Sequence, residues 1–551
     1  MKGAFRRSMG WLHTWTGLAL GWLLFFVFVT GTVGYFDTEI DRWMQPELPL
    51  QNDKLSQEQL LDMALAHLEE QASWSKEWQI TLPEDRYQTL GIAWKKAKPN
   101  NSMRHGGSRE KKLINYETNE IADPRDTAGG QALYRMHYRL HYMPSIIAFW
   151  IVGLATMFML LAIVTGIIIH IRIFKDFFTF RPKQGAKSWL DAHSVVSVIA
   201  LPFHLMITYS GLVFFVFTFM GAVIIANYDV NDIKDLRKEA FPRHTPLDPT
   251  GVDATMVNLA PLLADARKQL GNNIYRVTIF NPNDENAVVS FRRPNTTLFG
   301  RDDIDEVQFD GVSGSQLQIA PLNKPVAPQV RSVLLGLHEG HFAGIVMRWF
   351  YFIAGILGSM MIATGMLLWV EKRRFKYENK QEPTKGYLLV HRLNAGTIVG
   401  LPMAIAVYFL ANRLLPIELL DRGSWEINAL FISLGLFIIY PFLRPLNKFW
   451  VEMLIGAGLL FFAVPIVNGL TTNNHMIATA LAQDWTLFTF DLLMILFGAK
   501  FIFAAIRVHK RQQHPNHKKP KHITRKKRPA RHKSTPATGD AIATRTPHEL
   551  S

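Results

Sequence analysis

The 551-residue chain contains no cysteine. That absence excludes disulfides, iron–sulfur clusters, thiolate-ligated or covalently attached haem, and cysteine nucleophiles. It leaves the redox compartment unread, although a chain without thiols is compatible with exposure to an oxidising space. Acidic residues are scarce in one place: between Arg507 and Lys533 there are twelve Lys/Arg and no Asp or Glu. This stretch supplies most of the formal net charge of +15 and reads as a disordered cytoplasmic tail beside anionic lipid rather than a nucleic-acid binder. A dinucleotide fingerprint is also missing, and the cytoplasmic loops are too short to hold a flavin domain.

What is present is apolar in long runs. Hydrophobic residues make up 48% of the chain, yet mean hydropathy is only +0.06, so apolar segments alternate with polar ones. A helix crosses the hydrocarbon with about 20 apolar residues. Eight segments qualify, near 11–36, 145–171, 194–226, 343–370, 390–411, 425–443, 449–470 and 485–506. The first follows Met1-Lys-Gly-Ala-Phe-Arg-Arg but is too long for a signal peptide, and Gly31-Thr-Val-Gly-Tyr-Phe-Asp is a poor cleavage site; it reads as a retained anchor.

Lys and Arg in the short loops set the orientation. Arg6, Arg7, Arg172, Lys175, Arg181, Lys183, Lys187, the run from Lys372, Arg444 and Lys448 fall on the side of the tail. Both termini are therefore expected in the cytoplasm, and the loops at about 37–140 and 227–337 outside. Each loop carries a helical stretch (Ser56 to Gln71; Ala254 to Leu270) followed by strand-like runs, among them Trp78-Gln-Ile-Thr-Leu and Tyr275-Arg-Val-Thr-Ile-Phe, with Asp310-Gly and Ser313-Gly as hairpin signals. The expected division is 1–36 first span, 37–143 outer module, 144–226 second and third spans, 227–340 second outer module, 341–411 and 412–506 five further spans, and 507–551 tail.

Spacing reveals a repeat in the first four spans. His13 precedes Gly31 by 18 residues, and His193 precedes Gly211 by the same 18. His141 stands 24 before Thr165-Gly166; His341 and His338 stand 23 and 26 before Thr364-Gly365. A parallel repeat implies a pseudo-two-fold axis along the membrane normal. It would set His13 against His193 near the cytoplasmic face and His141 against His338 (or His341) near the outer face. Facing imidazoles in a helical bundle suit bis-histidine haem. Zinc fits less well, since no acid or thiol accompanies them in the spans.

Other histidines compete. His204 lies eleven residues after His193 on the same helical face, about 16 Å further along and deep in its span. His170 sits at the inner end of the second span, level with His13 and His193. Both are candidates. His137 and His341 read as interfacial residues because each neighbours a better-placed partner. His391, in a similar Leu-Val-His-Arg context, opens the fifth span.

The His13…Thr-Gly span, Leu140-His141, Ser188-Trp-Leu-Asp-Ala-His193, Leu337-His338-Glu-Gly and the Phe309-Asp-Gly-Val-Ser-Gly turn resemble the PepSY-associated transmembrane family over roughly residues 1–375. The resemblance implies a polytopic α-helical membrane protein of about eight transmembrane helices, with two small α+β PepSY-like periplasmic modules and an internal tandem repeat in the first four spans. It further implies an inner-membrane ferric-siderophore reductase, with His13, His193, His141 and His338 as axial ligands of two haem b groups. The expected partners are a ferric siderophore or other ferric chelate, a quinol or separate electron-donor protein, and membrane lipid, without nucleic acid. Two other classes stand beside this reading. One is a non-catalytic PepSY membrane regulator; the other is an iron or siderophore transporter component, for which Asn468, Asp491 and Lys500 in the later spans are the only hint.

Overall fold

The computed structural model describes residues 2–48, 55–84, 86, 89–96, 109–170, 180–182, 184–221, 226, 247–272, 274–293, 306–320, 326–378 and 382–513. Seven of its helices are long and apolar enough to cross a membrane: Gly3–Gly34, Ser145–Ile169, Ile345–Arg374, Lys385–Leu414, Arg422–Leu443, Phe449–Thr471 and Trp485–Gln513. A bent pair, Ala186–Ile199 and Leu201–Phe214, supplies the eighth span. The chain is thus a multi-pass helical membrane protein. The basic tail and the loop residues Arg172, Lys175 and Lys183 lie outside the described residues.

Span 1 is helix α1 (Lys2–Gly34), which is followed by the short α2 (Asp37–Met44) and by α3 (Gln57–Ala72). A sheet segment then leads to α4 (Gly129–Arg139) and span 2, α5 (Ser145–Ile169). Span 3 is α6 (Ala186–Ile199) plus α7 (Leu201–Phe214); the second half of the sheet, with α8 (Leu259–Leu270), precedes α9 (Val326–Glu339) and span 4, α10 (Ile345–Glu378). The remaining spans are α11 (Lys385–Ile398) running into α12 (Gly400–Leu414), then α13 (Arg422–Leu443), α14 (Phe449–Thr471) and α15 (Trp485–Gln513).

Span 3 departs from the continuous helix expected over 194–226. It begins at Ala186 and turns by 69° between Ile199 and Leu201, where Pro202 removes a backbone donor and its ring crowds the preceding turn.

The two long loops do not fold apart. Their eight strands join in one antiparallel sheet, β1 (Glu77–Thr81), β2 (Leu90–Lys95), β3 (Arg109–Asn115), β4 (Glu120–Ala122), β5 (Arg276–Phe280), β6 (Val288–Arg292), β7 (Glu306–Asp310) and β8 (Gln316–Ala320), in the spatial order β4-β3-β2-β1-β5-β6-β7-β8. The seam is β1 on β5, with Trp78 opposite Ile279 and Ile80 opposite Val277. All four side chains are fully buried, so separating the halves would expose them, and that burial is the physical reason one sheet replaces two modules. Helices α3 and α8 cover the same core and are joined by Arg267, which donates to Gln57 and pairs with Glu58. Ser56 starts α3 with a reciprocal capping box to Gln59, and Asn258 caps α8 through the Ala260 N–H.

Below the sheet, α1 packs on α5 and α10, α10 on α6, and α5 on α7. The short helices lie over the bundle in matched fashion, α4 on α1 and α9 on α7. The last four spans grip the segment leading into α4. Arg422 and Glu426 form a fully buried pair at 2.6 Å, and Glu426 also accepts from the Thr127 hydroxyl (2.7 Å) and the Ala128 N–H (2.9 Å). Nearby, Asp491 accepts from the Trp43 indole and from Asn468, both at 3.0 Å, while Arg413 stacks 3.7 Å over the Trp43 ring. Asn468 and Asp491, two of the three residues that hinted at transport, are thus held in polar contacts that lock α2 to α14 and α15, while the third, Lys500, is exposed.

Candidate functional site

Each Thr/Ser-Gly step in the first four spans carries a histidine from a neighbouring helix. The His13 Nδ1 lies 2.9 Å from the Ala162 carbonyl and 3.3 Å from the Thr165 hydroxyl. His193 repeats the arrangement on α10, 2.9 Å from the Met361 carbonyl and 3.3 Å from the Thr364 hydroxyl. A methyl placed on Gly166 would come within 3.2 Å of the His13 ring, and one on Gly365 within 3.3 Å of the His193 ring. The glycines are therefore floors for flat rings. The two imidazole centres stand 6.3 Å apart.

A second pair forms on the sheet side, with one change of membership. His137 of α4 places Nδ1 2.7 Å from the Val27 carbonyl, and a methyl on Gly31 would stand 2.5 Å from that nitrogen. His338 of α9 places Nδ1 3.0 Å from the Ser210 hydroxyl over Gly211. These two rings are 6.0 Å apart. The position expected for His141 is thus occupied by His137. His141 lies beyond the end of α4 after Leu140, whose positive φ turns the chain; its ring is exposed, stacks against Phe431 and meets Tyr142 edge-on. Counting back from Thr-Gly misses this because His137 stands 28 residues before Thr165 whereas His338 stands 26 before Thr364, although five residues join the helices in both cases. Counted instead from the start of the following helix, His137 precedes Ser145 by eight residues and His338 precedes Ile345 by seven. The face Leu133, Met136, His137 on α4 was the available signal, since the first two are buried at the helical spacing that carries the third inward.

Of the other candidates, His170 caps the end of α5, half-buried, where it and Lys372 interact electrostatically with His13; Arg6 donates to the Ile169 carbonyl at 2.8 Å. His204 is fully buried in α7 against Phe28 and belongs to neither pair. His341 is exposed and pairs with Glu339, and His391 accepts from the Trp450 indole.

The donor sets fit a planar metal macrocycle held by two imidazoles. With Nδ1 engaged by a carbonyl or hydroxyl, Nε2 is the ring nitrogen left for a metal, and the Nδ1 bond fixes ring orientation. A metal–imidazole bond of about 2.0 Å, plus roughly 1.1 Å from nitrogen to ring centre on each side, calls for centres about 6.2 Å apart. The observed 6.3 and 6.0 Å meet that requirement. Among the described residues no three of His, Asp or Glu converge as a metal cage, so these are two-donor sites. Burial, then the neighbouring His137, pushes the His338 imidazole down to about 3, and burial lowers His137 against the pull of the Val27 carbonyl. Both rings are neutral near pH 7, the form that ligates.

The sheet-side pair opens on a cavity of about 680 Å³ between the spans, lined by Gly31, Gly211, Val27, Thr156 and Phe215 among others. Its volume lies in the range of cofactor sites. At its polar end Arg86 pairs with Asp37 at 2.6 Å and Arg348 pairs with Glu39. The two arginines are thus held by their own acids.

The PepSY-associated TM region family matches residues 10–372, from just ahead of His13 to just past Gly365. The chain belongs to this family. The matched interval holds both histidine pairs and all four glycine floors, and it ends before α11, so the last four spans are an addition to the PepSY-associated TM region. Among curated proteins none matches the chain.

Proposed function

We propose that this PepSY-associated protein is a transmembrane ferric-chelate reductase of the bacterial inner membrane, holding two b-type haems with His13 and His193 at one and His137 and His338 at the other. The observation that carries the reading is the recurrence of one geometry: facing imidazoles about 6 Å apart, each with Nδ1 bonded and each over a glycine. Placement follows from charge. Arg6, Lys372 and Arg373 crowd the end of the bundle away from the sheet, which by the positive-inside rule is cytoplasmic; the start of α1 and the end of α15 lie there, and the sheet, with its two PepSY-like halves, is periplasmic. The matched contacts of the two helical halves support an internal repeat.

Haem, when bound, supplies one-electron transfer between the two faces. The chain's own work is to set the two sites and keep them dry. On α5 the inner site touches Ala162–Gly166 and the outer cavity touches Val152 and Thr156, a separation of about ten residues or 15 Å along the helix. Leu24, Met159 and Met366 belong to one buried apolar cluster of the bundle, which Leu24 and Met159 carry to the cavity wall. At the sheet side an electron reduces Fe³⁺ held by hard oxygen donors, and Fe²⁺, which those donors hold less well, is released. The donor on the cytoplasmic side is a quinol or a separate protein, as no dinucleotide motif is present.

Stopped-flow mixing of the dithionite-reduced holoprotein with a ferric hydroxamate chelate tests this. Reoxidation of the visible spectrum with one Fe²⁺ formed per electron is expected. A pigmented protein that stays reduced while the chelate stays ferric would contradict the reductase assignment.

A further inference from the structure

His204 is fully buried, yet among the described residues its Nδ1 has no hydrogen-bond partner, and its Nε2 reaches only the Ala354 carbonyl at a long 3.4 Å. One turn further along the same face of α7, Thr208 is also buried, its hydroxyl likewise unpartnered among the described residues, and Thr208 lines the sheet-side cavity. Two adjacent orphaned polar atoms in a bundle interior are costly, since each forfeits its hydration without recovering a bond. They lie just past the 69° break in span 3, which turns α7 away from the course of α6. The first span places Leu24 eleven residues after His13, where the third places His204 eleven after His193. An apolar residue therefore serves at the corresponding position, and packing alone does not call for an imidazole.

We propose that His204 is a proton-accepting site, loaded from the sheet-side cavity through the Thr208 hydroxyl, whose positive charge offsets an electron held in the bundle. The inference rests on the reductase reading and adds a proton to it. For each electron taken from the external reductant, one proton leaves the cavity and forms an N–H bond at His204. When that electron departs to ferric iron, the proton returns the way it came. The groups packed against His204 are Phe28 of α1, Phe203 of its own helix, and Ala354 and Gly358 of α10, none of which titrates. Beyond Thr208 the charged residues lining the cavity are Asp37, Glu339, Arg86, Arg139 and Arg348, with His341 at the edge. In so apolar a setting an added electron and an added proton stabilise one another strongly, because little solvent screens them.

The test is an optical redox titration of the purified holoprotein at a series of pH values, without any ferric substrate. In the wild type, one of the two potentials is expected to fall as pH rises over part of the range, up to a tenfold change in the reduction equilibrium per pH unit for a one-proton couple. His204→Leu, which copies Leu24, is expected to flatten that dependence while keeping both pigments. Thr208→Val, which removes an acceptor for the protonated ring, should move the bend to lower pH. If His204→Leu does not fold, His204→Gln provides the same comparison with a polar side chain. Equal pH dependence in wild type and His204 variants would overturn the proposal and leave the reductase reading standing, since the pigment remains. A colourless wild type, recognised before any titration, would overturn both.

Discussion

His137 of α4 faces His338 of α9 with 6.0 Å between their ring centres, and each ring lies on a glycine of the span beneath it, Gly31 for the first and Gly211 for the second. The pair is built from two helices outside the spans, so its spacing depends on how closely α4 and α9 dock. Contacts at the glycines set that docking.

Substituting the floors therefore has graded effects. A Cβ on Gly31 would stand 2.5 Å from His137 Nδ1, whereas one on Gly166 would stand 3.2 Å from the His13 ring. Gly31→Ala is expected to displace His137 and to cost one of the two proposed haems. Gly166→Ala should retain both with a small spectral shift. Haem counted per chain in the two purified variants checks this ordering.

The buried Arg422–Glu426 pair anchors the segment ahead of α4. Removing one partner of a fully buried ion pair leaves the other uncompensated and typically costs about 3–5 kcal/mol. Arg422→Ala is expected to lower the thermal unfolding midpoint in detergent by many degrees. Glu426→Gln, which keeps its acceptor oxygen for Thr127, should fall between that variant and the wild type.

Asp41 gives a pH dependence of known sign. Its Oδ1 accepts the Gly130 N–H at 2.7 Å at the start of α4. Burial first, then Asp37 beside it, push the carboxyl from 3.8 up to about 7, against the downward pull of the Gly130 and Gln131 N–H groups and the weaker pull of Arg86. The folded protein thus holds a proton that the unfolded chain releases near pH 4. Stability from this group is greatest below pH 4, declines as pH rises towards 7, and levels off above. Asp41→Asn should remove that decline, so the gap between variant and wild-type unfolding midpoints widens in favour of the variant from pH 5 to pH 8.

Much of this architecture was legible from sequence because its signals are one-dimensional. Apolar runs of about 20 residues mark spans whatever they pack against, and the equal spacing from His13 to Gly31 and from His193 to Gly211 marks equivalent helices. Strands β1 and β5 were legible from their β-branched and aromatic runs, and the turn that follows β7 from Asp310-Gly. Three features were not. The β1–β5 seam depends on which edges meet in space. The break in span 3 follows from Pro202, but its size follows from packing. His141 was favoured over His137 because residue counting cannot see the turn at Leu140, where the chain leaves the bundle.

The most direct test of the central claim is the absorption spectrum and haem content of the wild type beside His137→Ala and His141→Ala, each purified from haem-replete cells. The account expects two b-type haems per chain in the wild type and in His141→Ala, and one in His137→Ala. A colourless wild type, or loss of a haem from His141→Ala but not from His137→Ala, would contradict it.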